Sequence, residues 1–154
     1  MDWSPVIISL KTASASIIVT FFLGAAMAEL VFRIQNKKLK MILDGLFTLP
    51  LVLPPTVAGF FLLYIFGIRR HVGKFLLDYF AVKIAFSWEA TVLAAVLISF
   101  PLMYRAARGA FEQVDPDLLA AGRTLGMSEW NIFWKVQFPV ARPGIVSGAV
   151  LAFA

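Results

Sequence analysis

The 154-residue sequence contains no cysteine, one histidine and few charged residues. The absence of cysteine excludes a disulfide, a thiolate nucleophile and a cysteine-ligated metal site. Charged residues make up 15% of the chain and apolar residues 60%, whereas soluble domains contain about 25% and about 45–50%. The composition therefore argues against a water-soluble enzyme or binding module and indicates that the lipid bilayer is the solvent.

Three apolar stretches of 21 to 24 residues are long enough to cross the membrane as helices. They cover residues 12–32, 45–68 and 84–104. A fourth apolar run, residues 143–154, reaches only about 18 Å at about 1.5 Å per residue, and the sequence stops inside it. We predict an all-α, multi-pass bundle with three full spans and the start of a fourth. Because the last five residues, 150–154, include no polar or charged side chain, we expect a longer natural protein; the alternative is a short re-entrant or interfacial helix.

The basic residues are distributed unequally between the two sides of the predicted bundle. Nine Lys and Arg fall between the first two spans and in the loop of residues 105–142, against five on the opposite side, including residues 69–83. Cytoplasmic loops carry the excess of Lys and Arg. We therefore predict that the N-terminus lies outside, that residues 105–142 are cytoplasmic, and that the net charge of +5 reflects topology and no nucleic-acid partner.

Several kinds of functional group are absent from the sequence. No charged residue lies at the centre of a predicted span, which argues against a proton- or sodium-coupled secondary transporter. The single histidine, His71, lies in the predicted outer loop, where we expect it to be solvated, so we predict neither a metal site nor a cofactor. The phosphate-loop pattern G-x-x-x-x-G-K-[ST] does not occur. The chain is therefore predicted not to be an enzyme, and any ATP hydrolysis must come from a separate subunit.

The predicted cytoplasmic loop contains start and stop signals for two short helices. Asp115 before Pro116 is typical of a helix start, and Gly126 can adopt the left-handed conformation that ends a helix. Ser128 offers a second helix start, and Pro139 is predicted to end that second helix. The sequence therefore predicts two helices joined at a glycine, with Pro143 starting the last apolar helix.

These two helices resemble the coupling loop of the permease subunits of ABC importers. The family pattern is Glu-Ala-Ala, three residues, Gly, nine residues, then Ile-x-Leu-Pro. An alanine at position 120 replaces the family glutamate, which puts in doubt any ionic contact of that glutamate with the ATPase. With Gly126 as the family glycine, the spacing is kept by Ala120-Ala121-Gly122 before it and by Val136-Gln137-Phe138-Pro139 after it.

The resemblance covers nearly the whole chain, and the sequence is similar to molybdate permeases in particular. It is carried by residues 49–59, residues 99–108 and residues 114–126. The resemblance implies an inner-membrane subunit of a type I importer that carries molybdate or tungstate. It also implies a permease homodimer, an ABC ATPase subunit and an extracytoplasmic solute-binding protein as partners. Sulfate or thiosulfate permeases share much of the pattern, and a non-transporting membrane scaffold is an alternative of a different class.

Two groups of residues are candidates for function. Pro50, Pro54 and Pro55 lack a backbone donor and should bend or unwind the second span, so we predict that Pro54, Pro55 and Thr56 line the translocation pathway; the alternative is a packing kink. The resemblance implies that Trp130, Phe133 and Trp134 anchor the second helix of the loop against the membrane helices. The alternative is an interfacial helix pair without a partner. The residues that the resemblance implies for ATPase coupling are Ala120, Ala121, Gly122, Arg123, Thr124, Leu125, Gly126 and Pro139.

Overall fold

The computed structural model describes residues 3–67 and 87–154, and every regular element in these two stretches is helical. The predicted all-α class is confirmed. The predicted outer loop of residues 69–83, with His71, lies outside the described residues. The elements are α1 Ser4–Arg33, α2 Lys37–Val52, α3 Pro55–Phe66, α4 Trp88–Glu112, α5 Pro116–Thr124, α6 Glu129–Ile132, a π-helical segment Phe133–Gln137, and α7 Phe138–Phe153.

Three of the helical stretches in the described part are long and apolar enough to cross a membrane. They are Ser4–Arg33, Trp88–Glu112 and Glu129–Phe153, and the pair α2 and α3 would form a fourth if it is one broken span. The observed helices are longer than the predicted spans at several ends, because polar residues near a helix end do not stop helix formation.

Helix α4 is at the centre of the bundle, where it packs against α1, α2 and α7. Its face toward α1 carries polar groups that pair across the interface. Thr20 and Ser99 share a hydrogen bond between their hydroxyl oxygens at 2.9 Å, and the Trp88 indole donates to Thr12 Oγ1 at 2.9 Å. Such pairs satisfy side-chain polar groups that lipid could not. The fully buried apolar side chains at the centre are Val31, Met103, Tyr104, Phe111, Ile132 and Ile145.

Glycines allow α7 to approach α4 closely. A Cβ built on Gly144 would lie 2.6 Å from the Cβ of Ala110, and one built on Gly148 would lie 2.4 Å from the Cβ of Ala106. Two non-bonded carbon atoms do not approach each other this closely, so the packing of the two helices depends on glycine at both positions.

Replacement of Gly148 by alanine is expected to destabilise the bundle. The added methyl group meets Ala106, and overpacking of this kind costs about 1–3 kcal/mol. Gly109→Ala is the matched control on the neighbouring helix, because a Cβ there meets nothing within 4 Å. Thermal unfolding of the detergent-solubilised protein measures the stability of both variants. Equal stability of the two variants would contradict the close packing.

The predicted second span, residues 45–68, is not one continuous helix. Helix α2 begins at Lys37 and ends at Val52, and α3 leaves it at 110°. The break falls at Leu53, whose backbone is extended, because a residue before proline avoids the helical region and Pro54 and Pro55 supply no N–H donors. The side chain of Asn36, which accepts from two backbone amides, starts α2 earlier than predicted.

The prediction that Pro139 ends the second loop helix is wrong. The helical backbone runs from Glu129 to Phe153 through the π-helical segment, and Pro139 lies in the first turn of α7. Here the N–H of Phe138 bonds to the carbonyl of Phe133, five residues back, so the wider turn precedes the proline. The helix therefore continues through Pro139 and lacks one backbone N–H donor at that position. Pro143 likewise lies inside α7 and does not start it.

Candidate functional site

Helix α5 begins as the sequence predicts. The side chain of Asp115 accepts a hydrogen bond from the backbone N–H of Asp117 at 2.9 Å, and Pro116 occupies the first turn. The helix carries the candidate coupling residues from Ala120 to Thr124. A stable start matters here because the helix has only nine residues and could not persist alone.

The predicted left-handed turn at Gly126 is confirmed. Its φ is +74°, its N–H bonds to the Arg123 carbonyl at 3.0 Å, and the N–H of Met127 bonds to the Gly122 carbonyl at 3.1 Å. These two bonds form a Schellman motif, which satisfies the last carbonyls of α5. The turn therefore sets the direction in which α6 leaves α5.

One side of α5 is buried and the other is open. Leu119 and Gly122 are buried, and a Cβ on Gly122 would lie 3.0 Å from the side chain of Ile132 on α6. The predicted coupling residues other than Gly122 are exposed: Ala120, Ala121, Arg123, Thr124, Leu125, Gly126 and Pro139.

We define the open face of α5 as Leu118, Ala121 and Leu125, which recur at helical spacing. Leu125 is 80% exposed and Leu118 47%. The structure thus gathers most of the predicted residues on one element, whereas Pro139 lies apart on α7. Apolar side chains that are so exposed at the end of a short helix are available for contact with another protein.

An ion pair crosses the glycine turn. Arg123 Nε lies 2.7 Å from Glu129 Oε1, and Arg123 Nη2 lies 3.2 Å from Glu129 Oε2. The hydrogen bond and the charge of Glu129 raise the pKa of Arg123 above its usual range. Both side chains are exposed, so the pair adds little stability. Its paired geometry instead favours one orientation of α6 relative to α5.

The aromatic face of the second loop helix is divided. Phe133 packs on Phe111 of α4 with ring centroids 6.2 Å apart, which agrees with the predicted anchoring. Trp130 and Trp134 are 67% and 48% exposed and contact each other edge to face. Their anchoring role is not seen in the described residues.

A buried polar bridge connects the π-helical segment to α1. Glu29 Oε1 accepts from Arg33 Nε at 2.6 Å, and Glu29 Oε2 accepts from Gln137 Nε2 at 2.7 Å. Glu29 is 9% exposed and Gln137 4%. The spacing of four between Glu29 and Arg33 is visible in the sequence, but the partner 108 residues away is not.

A second polar cluster connects α2 to α4 beside a cavity of 630 Å³. The buried Arg108 places Nη2 2.8 Å from Glu112 Oε1 and Nε 3.6 Å from Asp44 Oδ1. The hydroxyl of Tyr104 donates to Asp44. The sequence did not predict that these side chains lie together. The only visible signal is that Arg108 and Glu112 are four residues apart on one helix.

The predicted pathway residues lie together at the bend between α2 and α3. Pro54 precedes α3, Pro55 is its first residue, and Thr56 follows. All three are exposed. The bend therefore presents irregular backbone and a hydroxyl on the surface of the described residues, at some distance in sequence from the element formed by α5 and α6.

The bundle of long apolar helices, with a pair of short helices between two of them, has the architecture of a membrane permease, and comparison with known proteins agrees. The family described as "Binding-protein-dependent transport system inner membrane component" matches residues 13–154. The chain belongs to this family.

Three relatives show where this chain lies within the family. The molybdenum transport system permease protein ModB of Escherichia coli strain K12 is 44% identical over 153 residues, which are 99% of this chain and 66% of that protein. ModB of Haemophilus influenzae is 38% identical over 154 residues, covering 100% of this chain and 67% of the relative. A probable sulfate transport system permease protein, cysT, of Chlorokybus atmophyticus is 32% identical over 151 residues, covering 98% and 52%. The chain thus spans about two thirds of the length of these two molybdenum permeases.

Proposed function

We propose that this chain is part of the permease subunit of an ATP-driven importer of molybdate and its close analogue tungstate. The observation that carries the proposal is the 44% identity to a molybdenum transport permease over 99% of the chain. The exposed pair of short helices supports it physically, because a permease without its own phosphate-binding loop needs a surface on which a separate ATPase can act.

The element of α5, the Gly126 turn and α6 would be the point at which the ATPase acts. The open face of α5 enters a groove of the ATPase subunit, while buried Gly122 and Leu119 hold the helix to the rest of the element. The short helix and its Schellman turn form a stiff unit, which can transmit displacement without bending. When ATP binding closes the ATPase pair, the two coupling elements of the transporter move together and the membrane helices turn outward.

The proposed assembly is a permease homodimer embedded in the lipid bilayer of the cytoplasmic membrane. Each permease binds one ATPase subunit on the inside, and a solute-binding protein delivers the oxyanion from outside. The excess of Lys and Arg in residues 33–40 and 105–142 supports a cytoplasmic position for both segments and an outer N-terminus. Tight recognition of the ion belongs to the binding protein, so the permease needs only a weak, releasable path.

The bend between α2 and α3 is the proposed part of that path. Backbone that leaves the helical ladder at membrane depth is tolerated where it lines a cavity or is covered by protein. Pro54, Pro55 and Thr56 are exposed on one protomer, so a second protomer could face them across the pathway.

A sulfate or thiosulfate importer is the second candidate. It is favoured by the 32% identity to the probable sulfate transport permease. Molybdate and sulfate are both tetrahedral dianions, so a charge-poor pathway separates them poorly.

Uptake of radiolabelled molybdate tests the function. Cells without their own molybdate permease receive the full-length gene, and unlabelled tungstate, sulfate or thiosulfate is added in excess. We expect ATP-dependent uptake that tungstate suppresses and sulfate does not. Restoration of sulfate uptake alone would reject molybdate as the substrate while retaining the importer.

A further inference from the structure

The buried bridge of Glu29 and Gln137 lies where the coupling element meets α1. Buried polar groups cost free energy unless they are hydrogen-bonded, and both carboxylate oxygens of Glu29 are used, at 2.6 Å and 2.7 Å. An apolar pair could fill the same space without that cost.

A continuous series of contacts leads from the open face of α5 to this bridge. Gly122 on the buried side of α5 packs against Ile132, which is 1% exposed. Ile132 lies in the unbroken helical stretch from Glu129 to Phe153, and Gln137 is in that stretch five residues further on. The connection from α5 to Gln137 thus consists of packed side chains and helical backbone, with no loop between them.

The bridge is also a polar contact that joins this stretch to α1. Glu29 is on the α1 face that is buried in the bundle, close to its cytoplasmic end at Arg33. Arg33 restrains the carboxylate from the same helix, and Gln137 holds it from the other side. Two short hydrogen bonds to one carboxylate determine its position more strictly than apolar contact does.

We infer that Glu29 is a positioning residue for transport, whose carboxylate carries the movement of α5 and α6 to α1. This inference rests on the proposed function of the chain. It assigns to the bridge the step between ATPase closure and rearrangement of the first membrane helix.

An exchange of the two side chains tests the bridge. Gln137→Glu brings a second carboxylate to the position 2.7 Å from Glu29, where the two charges repel. Glu29→Gln in the same protein restores one amide and one carboxylate, with the donor now on α1. Gln113→Glu is the matched control, because it makes the same change on an exposed side chain at the end of α4.

The measurement is made on the complete transporter in proteoliposomes, as molybdate imported per ATP hydrolysed, with the amount of assembled permease and ATPase determined separately. We expect Gln137→Glu to lower this ratio about tenfold while the ATPase remains bound, and the double variant to recover most of it. Gln113→Glu should behave as wild type.

Two results would overturn the inference. One is a Gln137→Glu transporter that assembles in smaller amount but keeps the wild-type ratio, since the bridge would then serve folding alone. The other is failure of the double variant to recover when it assembles normally. If the wild-type transporter imports no molybdate, the proposed function fails separately. The bridge is then tested by measuring how far the solute-binding protein stimulates ATP hydrolysis. The single variant must lose this stimulation, and the double variant must regain it.

Discussion

A Leu125→Asp permease is expected to lose its ATPase subunit during purification and to import almost no molybdate. Leu125 is 80% exposed at the end of α5, so its replacement leaves the packing of the permease unchanged. In the proposed complex this side chain is covered by the ATPase. A carboxylate there would be buried without a partner, which costs several kcal/mol. A loss of about 2 kcal/mol, the threshold for a dominant interface residue, already weakens binding about 30-fold.

Leu125→Met is the control for this result. Methionine keeps the volume and apolar character of leucine, so the ATPase should remain bound. The test is co-purification of the two subunits together with uptake, after size-exclusion chromatography has shown that both variants are folded. Normal ATPase binding by Leu125→Asp would remove the open face of α5 from the interface.

A Gly126→Val permease is also expected to lose most of its transport activity, but because of backbone strain and not because of an altered contact surface. Gly126 has a φ of +74°, and a Cβ there would meet nothing within 4 Å. The cost is therefore backbone strain alone, about 1–3 kcal/mol for a residue with a side chain and greatest for a β-branched one. The turn can relieve that strain only by changing the direction of α6 relative to α5. We expect uptake to fall at least about tenfold, which corresponds to about 1.4 kcal/mol.

Gly126→Asn separates strain from the mere presence of a side chain. Asparagine adopts the left-handed conformation more readily than most residues, so this variant should retain most of the uptake. If valine and asparagine reduce uptake equally, the left-handed turn does not explain the need for glycine at this position.

The local signals of the helix pair could be predicted from the sequence because each depends on neighbours in the chain. Asp115 and Ser128 start helices through hydrogen bonds to amides two or three residues ahead. Gly126 ends α5 through bonds to carbonyls within five residues. The all-α class likewise follows from apolar runs alone.

The contacts between distant parts of the chain could not be predicted in this way. Glu29 meets Gln137 across 108 positions, and Tyr104 meets Asp44 across 60. A membrane helix shows few polar residues, yet nothing in the pattern tells which of them face each other. The π-helical segment was also missed, and with it the reason that Pro139 does not end the helix: a single wider turn has no signature in apolar periodicity.

Covalent cross-linking at position 125 tests the central claim most directly. The 154 residues contain no cysteine, so Leu125→Cys places a unique thiol within this stretch on the open face of α5. Lys11→Cys, in the N-terminal third of α1 and exposed, is the control. With a short thiol-reactive cross-linker, we predict a permease–ATPase product from position 125 and none from position 11. A transporter that imports molybdate but gives no such product from position 125, or gives it equally from position 11, would contradict the account.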